Sequence, residues 1–309
     1  MSFNLVFKTR WIDIGNQETY DASKGELTMV SIVTDSSALF PSAKAAEEGF
    51  ASLPLHVVID SQDYRDYENI NSENFEELTK GAAKISTSQP SIGEKIGVYD
   101  EILKDPKAEI LDITIADGLS GTYQSALMAK DSCSDPDRVT VFNSTTLCGP
   151  HQELVKTALK MAEEGSSVNE IEAKLQEMLE HEASSVCVTD ITHLARSGRL
   201  PEAAGKIGSF LKLMPLAVKN DDGTKLSLYG TSRTMKKMIE LQEKFLLSKG
   251  FDGSWSVYIT HGNNPAAAKK AEEYFKQKYP GIRTVVQNLN AMFMVHGGPG
   301  CLAIQAMKV

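Results

Sequence analysis

The feature that most constrains the fold is a repeated order of apolar run, polar turn and helix-forming run in the first half of the chain. Apolar runs at 29–33, 109–116 and 138–142 each lead through a turn rich in hydroxyl groups or glycine into a helix-like segment. Strands that alternate with helices at short spacing predict a mainly parallel sheet with helices on both faces. The first half is therefore expected to be a doubly wound α/β domain.

The second half has a different pattern. Residues 214–230 predict a β-hairpin with Asp222 and Gly223 in its turn, and a strand-like run ends the chain. Helical segments at 234–248 and 265–278 lie between them, separated by further strand-like runs. This mixture predicts an α+β domain with a mixed or antiparallel sheet.

Chain length favours two domains, because 309 residues exceed what one compact core usually holds. We place the α/β domain at residues 29–182 and the α+β domain at 183–309, after an N-terminal extension at 1–28. The extension lacks the basic and apolar regions of a secretory signal. Since apolar runs also fall short of the roughly 20 residues of a membrane span, we expect no stable membrane insertion and a cytoplasmic location.

Composition and motifs exclude several function classes. A net charge of −9 disfavours binding to nucleic acid. The 4 cysteines stand apart from one another, which indicates a reducing compartment rather than a disulfide framework or a zinc site. The chain also lacks the glycine-rich fingerprints of nucleotide binding and the paired histidines of zinc proteases. We therefore expect neither a metal nor a cofactor.

Polar loops follow the predicted strands of the first half, at 34–37, 86–91, 117–122 and 143–146. In open α/β sheets ligands bind beyond the carboxyl ends of the strands, where helix N-termini suit an anion. The segment 85–91 is expected to be an irregular loop of this kind.

Ser120, in the sequence "GLSGT", allows three interpretations. A nucleophile elbow has the pattern G-x-S-x-G, and here the second glycine comes one residue too early. A serine at a helix start can instead be an N-cap. Gly121 favours the third interpretation, an anion cradle, because a glycine there lets the backbone approach a bound group closely.

Two further segments are candidate sites. His296 lies in "HGGPG", where the neighbouring glycines and proline leave the imidazole exposed on a stiff backbone. Arg196 and Arg199, in "RSGRL", are either a solvated loop or a clamp for a carboxylate or phosphate.

Taken together and in order, "VTDSS", "TSQPS", "GLSGTYQSA", "SGRL" and "HGGPG" resemble the motifs of the DegV family over residues 30–309. The resemblance implies a two-domain α/β protein that holds a fatty acid in a tunnel between the domains. It also implies an acyl carrier that presents the carboxylate to a partner fatty acid kinase and has no catalytic residues of its own. Palmitate, stearate or oleate would be the ligand, and the carrier would be a monomer or weak dimer.

The same resemblance assigns roles to individual residues. The carboxylate would be bound by the side chains or backbone of a set of polar loop residues: Thr87, Ser88, Ser120, Gly121, Arg199 and His296. Arg233 would belong to the surface that docks the kinase. Methionine- and phenylalanine-rich runs such as "FLKLMP" and "MFM" either line the tunnel or belong to an ordinary core.

Two other functions remain open at the level of sequence. Ser120 and His296, oriented by Asp117, would form the catalytic group of a hydrolase or acyltransferase. Alternatively, the polar loops would bind a small polar anion such as a phosphosugar.

Overall fold

The computed structural model describes residues 29–197, 199–200 and 213–309. The strands in chain order are Met29–Asp35 (β1), Ala51–Leu53 (β2), His56–Ile59 (β3), Gln62–Arg65 (β4), Ile85–Ser88 (β5), Ala108–Thr114 (β6), Val139–Asn143 (β7), Glu182–Cys187 (β8), Met214–Lys219 (β9), Leu226–Ser232 (β10), Ser256–His261 (β11), Thr284–Asn288 (β12) and Leu302–Met307 (β13). The helices are Ser42–Glu47 (α1), Phe75–Thr79 (α2), Ile92–Ile102 (α3), Thr122–Ser132 (α4), Cys148–Glu163 (α5), Val168–Leu179 (α6), Ile191–Ser197 (α7), Met235–Ser248 (α8), Pro265–Lys278 (α9) and Ala291–Gly297 (α10). Within these ranges no helix is both long enough and apolar enough to cross a bilayer.

The first sheet is parallel, with the strand order β2-β1-β6-β7. Successive side chains of a strand point to opposite faces, so both faces of this apolar sheet must be covered. Ile32 and Leu111 pack on one face with residues of α5 and α6. Val33 and Ile110 pack on the other face with residues of α3 and α4. The predicted doubly wound α/β arrangement is therefore confirmed.

The second large sheet is mixed, with the order β10-β9-β8-β13-β11-β12. Only β11 and β12 run parallel in it, and the other neighbours pair antiparallel. The predicted α+β arrangement is confirmed, including the β9–β10 hairpin. The last strand of the chain, β13, lies in the middle of this sheet between β8 and β11, and β8 begins at Glu182.

A small antiparallel sheet of order β4-β3-β5 corrects the prediction that residues 85–91 form an irregular loop. Asp60 and Ser61 form the β3–β4 turn, both with positive φ. The segment 85–91 is not entirely irregular, because Ile85–Ser88 pairs with β3 as strand β5. A two-stranded hairpin is only marginally stable and leaves an edge of unpaired backbone groups. Residues 85–88 pair with that edge, although the polar side chains at 86–88 indicate a loop.

Helix α10 was missed by the sequence analysis, which treats the region of His296 as a glycine-rich loop. Asn290 is its N-cap, since its side chain accepts a hydrogen bond from the Phe293 N–H at 3.4 Å. The helix ends at Gly298, whose φ of 74° favours glycine. His296 therefore lies in the last turn of a short helix and not in a loop.

The turn of the β9–β10 hairpin packs directly on loops of the first half. A Cβ atom on Gly118 would lie 2.1 Å from the Thr224 Cα, and one on Gly223 would lie 2.5 Å from the Thr145 carbonyl oxygen. Any side chain at either position would therefore collide with backbone. The loop that carries Ser120 is held against the second half of the chain by this close contact.

Candidate functional site

Thr87 and His296 form the centre of the candidate site. Strand β5 carries Thr87 and helix α10 carries His296, and the two elements pack together. The Thr87 Oγ1 atom lies 3.0 Å from the His296 Nε2 atom, within hydrogen-bonding distance. This contact confirms that two predicted site residues lie side by side, although one is in the first half of the chain and the other near its end.

The imidazole of His296 is neutral. Burial, the nearby positive charge of Arg199 and a smaller electrostatic effect of His193 together lower the pKa of His296 to about 3. The other ring nitrogen, Nδ1, is buried and has no hydrogen-bond partner among the described residues. When the Thr87 hydroxyl donates to Nε2, the proton of the neutral ring is on Nδ1, which can then donate to a ligand. An unsatisfied buried donor costs about 1–3 kcal/mol, so this nitrogen indicates a place for an acceptor.

Arg199 joins the loop of Ser120 to His296. Its Nε donates a hydrogen bond to the Leu119 carbonyl oxygen at 3.3 Å. Burial lowers the pKa of Arg199, but the guanidinium remains charged because its ordinary pKa is above 12. The structure thus provides a cation close to the neutral His296 ring. The side chain of Arg196, the other predicted clamp residue, lies outside the described part of the chain.

The "GLSGT" loop is beside the end of β5. A Cβ atom on Gly121 would lie 3.3 Å from the Gln89 Nε2 atom, so the loop and the segment after Thr87 are in close contact. Ser120 Oγ lies 2.8 Å from Thr122 Oγ1. The N-cap of α4 is Gly121, which has no side chain to cap with, so the interpretation of Ser120 as a simple N-cap is wrong.

Ser88 and Arg233 are placed differently from the other predicted residues. Ser88 is exposed and follows Thr87 in β5, so strand alternation directs the two side chains to opposite faces. Arg233 is exposed at the start of α8, where it lines a separate surface cavity of about 340 Å³ together with Lys237. Whether Ser88 contacts a ligand and whether Arg233 contacts a partner both stay predictions.

The catalytic group of the hydrolase interpretation is not assembled. His296 pairs with Thr87 and Ser120 with Thr122, so the serine and the histidine each have another partner. The Asp117 carboxylate accepts hydrogen bonds from Gln124 at 3.1 and 3.2 Å and does not orient the imidazole. The arrangement is therefore suited to binding an anion rather than to activating a serine.

A cavity of about 70 Å³ has His296 in its lining. Single waters need only about 10–15 Å³, so the space is much larger than a water site. Its lining comes from both halves of the chain and is mainly apolar: Leu147, Cys148, Ser184, Ser185, Val186, Leu194, Ala217, Leu226, Leu289, Phe293, His296, Gly297, Cys301, Ala303 and Gln305.

Sequence analysis identified little of this lining. Phe293, in the run "MFM", was a candidate and does line the cavity, whereas Met292 and Met294 are in the surrounding core. In the run "FLKLMP", residues 210–212 lie outside the described part of the chain and Leu213 lines the surface cavity instead. Cys148 and Cys301 were interpreted only as core residues. Nothing in the spacing of such apolar residues distinguishes a cavity wall from a filled core.

Comparison with known proteins places this geometry in context. Residues 29–309 match the family model described as uncharacterised protein, DegV family. The protein DegV of Bacillus subtilis is 32% identical over 280 residues, which cover 89% of this chain and 98% of that protein.

Two solved structures share the fold along nearly the whole chain. A DegV family protein from Thermus thermophilus, described by its fatty acid binding, is 28% identical with a TM-score of 0.81, and the match covers 91% of this chain and 100% of that one. The structure of DegV from Bacillus subtilis, described as a fatty acid binding protein, is also 28% identical, with a TM-score of 0.78 and the same coverage.

Proposed function

The chain belongs to the DegV family, and from that premise we propose that it binds a long-chain fatty acid, with the carboxylate at His296 and the acyl chain in the apolar cavity. The observation that carries the proposal is the buried Nδ1 atom of His296, which has no partner among the described residues and belongs to a residue that lines that cavity. A hydrogen-bond donor beside an apolar cavity matches a molecule with one polar end.

The polar end of such a ligand needs donors, because a buried carboxylate without them is prohibitively costly. The neutral His296 ring offers one N–H, and the Arg199 guanidinium supplies positive charge close by. The hydroxyl groups of Thr87, in β5, and of Ser120, in the "GLSGT" loop, belong to two segments that meet at Gly121 and Gln89. Together these groups can replace the water that a carboxylate loses on binding.

The apolar end provides most of the affinity. Each buried methylene contributes about 0.8 kcal/mol, so a chain of palmitate length gains roughly 11 kcal/mol before the costs of association and ordering. Aliphatic and thiol side chains such as Leu147, Cys148 and Cys301 line the cavity and offer no competing charge. A long acyl chain is therefore favoured over a small polar anion, which would gain nothing from these walls.

The first experiment is native mass spectrometry of the purified protein, followed by extraction and identification of the bound molecule. A stoichiometric fatty acid is expected. A protein that purifies empty and takes up neither palmitate nor oleate would contradict the proposal.

A pair of variants in β13 tests whether the acyl chain lies in this cavity. Ala303→Leu places extra carbon atoms in the cavity and should abolish palmitate uptake while the protein stays folded. Ile304 is the next residue of the strand and packs in the core on the other face, so Ile304→Leu is the matched control and should keep uptake. Equal uptake by both variants would place the acyl chain elsewhere.

We further propose that the protein is an acyl carrier for a fatty acid kinase, with Arg233 in the docking surface. Support comes from the exposure of Arg233 and from Lys237 in the same surface cavity, which provide positive charge for an acidic partner surface. Arg233→Ala should leave palmitate binding intact and lower the rate at which a fatty acid kinase phosphorylates the bound ligand. Lys269→Ala, which removes an equally exposed charge from α9, is the control. Equal phosphorylation rates for the Arg233 variant and the wild type would remove this role.

A further inference from the structure

Asp66 is a buried carboxyl group next to the start of α10. It follows strand β4 and is 0% exposed. The Ser36 hydroxyl donates a hydrogen bond to Asp66 Oδ2 at 2.7 Å, and the Asn290 side-chain amide donates to the same oxygen. The Met292 N–H, in the first turn of α10, points at Asp66 Oδ1 from 3.5 Å. Asp66 thus joins the loop after β1 to the helix that carries His296.

Each of these partners is a neutral donor, so the contacts fit a carboxylate that only accepts hydrogen bonds. Burial raises the pKa of Asp66 to about 7, and the hydrogen bonds from Ser36 and from the backbone N–H groups offset only part of that rise. A buried charge that is held by neutral donors costs stability relative to a neutral side chain. Asp66 is therefore poorly explained by a contribution to stability, and its contacts indicate another role.

Helix α10 is held at both of its ends by the first half of the chain. At its start, Asn290 donates to the Ser36 carbonyl oxygen at 2.9 Å as well as to Asp66. At its end, His296 pairs with Thr87. The two ends are six residues apart, or about 9 Å along the helix axis. Because a short helix moves as one body, a displacement at Asn290 is transmitted to the His296 ring.

We propose that Asp66 is a positioning residue for the carboxylate site: by accepting hydrogen bonds from Ser36 and from the start of α10, it fixes the helix that carries His296. This inference rests on the proposed fatty-acid function. Binding groups must be held within about 0.5 Å of their productive positions, which is achieved by hydrogen bonds behind the groups that touch the ligand. Asp66 touches the helix and not the ligand, so its effect is on affinity through His296.

The test is Asp66→Asn, measured at pH 8, where the wild-type carboxyl is ionised. The amide has nearly the same shape, but it replaces one acceptor oxygen with an NH2 donor, which faces the donors Ser36 and Asn290 in one orientation and the Met292 N–H in the other. We expect the palmitate affinity of the folded protein to fall at least about fivefold, while the midpoint of denaturant unfolding stays equal or rises. A residue with only a structural role would instead lower the unfolding midpoint and leave the affinity of the folded molecules unchanged.

Asp131→Asn is the matched control, since Asp131 is exposed on α4 and the change removes the same charge. Affinity of Asp66→Asn equal to that of this control overturns the proposal. Failure of the wild type itself to bind palmitate contradicts the proposed function instead, so the two results are distinguishable.

If Asp66→Asn does not fold, Asn290→Ser decides the question. Serine is also a good N-cap, so α10 keeps its cap while losing the amide that donates to Asp66 and Ser36. Weaker palmitate binding by this variant supports the proposal, and unchanged binding overturns it.

Discussion

The Thr87 hydroxyl and the His296 ring lie 3.0 Å apart although 209 positions separate them in the chain. One belongs to a strand added to the edge of a small hairpin, and the other to the last turn of a short helix. The contact leaves the Nδ1 atom of a neutral imidazole buried and unpartnered among the described residues, in a ring that belongs to the lining of an apolar cavity. This arrangement underlies the first two predictions.

Thr87→Val should weaken palmitate binding about fivefold. Valine keeps the shape of threonine and removes the hydroxyl that holds His296 Nε2, and a lost hydrogen bond of this kind costs about 1 kcal/mol. Isothermal titration measures the affinity. Ser88→Ala is the neighbouring comparison, and it should cost less because strand alternation directs Ser88 to the other face. A larger loss of palmitate affinity in Ser88→Ala than in Thr87→Val would indicate that the carboxylate binds at Ser88 instead.

Ser120→Ala should also weaken palmitate binding while changing the free energy of unfolding by less than about 0.5 kcal/mol. Its hydroxyl is partly exposed and lies near that of Thr122, so little stability depends on it. Ser132→Ala, at the exposed end of the same helix, is the control. Unchanged palmitate affinity in Ser120→Ala would show that Ser120 is not part of the carboxylate site. Labelling of Ser120 by a serine-reactive probe would instead support the hydrolase interpretation.

Gly118→Ala should destabilise the protein by several kcal/mol, because the new Cβ would lie 2.1 Å from the Thr224 Cα and the β9–β10 turn would have to move away. Overpacking of this kind typically costs about 1–3 kcal/mol or more. Gly97→Ala is the control, since a Cβ at this position in α3 has open space and alanine favours a helix by about 0.5–1 kcal/mol. Denaturant unfolding of both variants gives the comparison. Equal free energies of unfolding for Gly118→Ala and Gly97→Ala would mean that the β9–β10 turn can move away without cost.

The lowered pKa of His296 predicts how stability depends on pH. Between the folded value of about 3 and the ordinary value of about 6.5, the unfolded chain binds a proton that the folded protein does not. The free energy of unfolding of the wild type should therefore rise with pH in this window, relative to His296→Gln, by up to about 1.4 kcal/mol per pH unit. A constant difference between the two proteins from pH 4 to 6 would contradict a buried, neutral ring.

The raised pKa of Asp66 predicts a pH dependence of the opposite sign, in which the free energy of unfolding falls as pH rises. The pKa of Asp66 in the folded protein is raised to about 7, so the folded protein holds a proton that the unfolded chain has already lost above about pH 4. Relative to Asp66→Asn, the wild type should lose stability as pH rises from about 4 to 7 and change no further above that. Tyr67, the titratable neighbour, stays neutral in this range because burial raises its pKa. Unfolding curves at pH 5 and 8 for both proteins measure the difference.

Much of the fold was predictable because it depends on local patterns. The alternation of apolar runs with helices indicated the parallel sheet, and Asp222-Gly223 indicated the β9–β10 turn, since these residues favour the turn conformation wherever they occur. Strand β5 was not predictable in this way. Three of its four residues, at 86–88, have polar side chains, and the segment is extended because β3 offers an unpaired edge.

The candidate site was predictable only as a set of residue types. Hydroxyl groups and glycines at strand ends, with His296 and Arg199, indicated an anion site, and the resemblance of their order to DegV motifs indicated a carboxylate. The cavity wall was not predictable, because Cys148 and Cys301 have the same apolar surroundings in sequence as residues of a filled core. The contacts of Asp66 were not predictable either, since its burial against Asn290 depends on a residue 224 positions away.

The sequence by itself determined the fold class of each half, the family, and most of the loops that carry polar groups, because spacing and backbone preference act within a few residues. Only the tertiary structure decided that His296 is in a helix, that Thr87 rather than Ser120 is its partner, and that it lines an apolar cavity. Those outcomes depend on which segments, distant in the sequence, pack together and exclude water from the space between them. That exclusion, and with it the neutral state of His296 and the raised pKa of Asp66, exists only when the chain is folded.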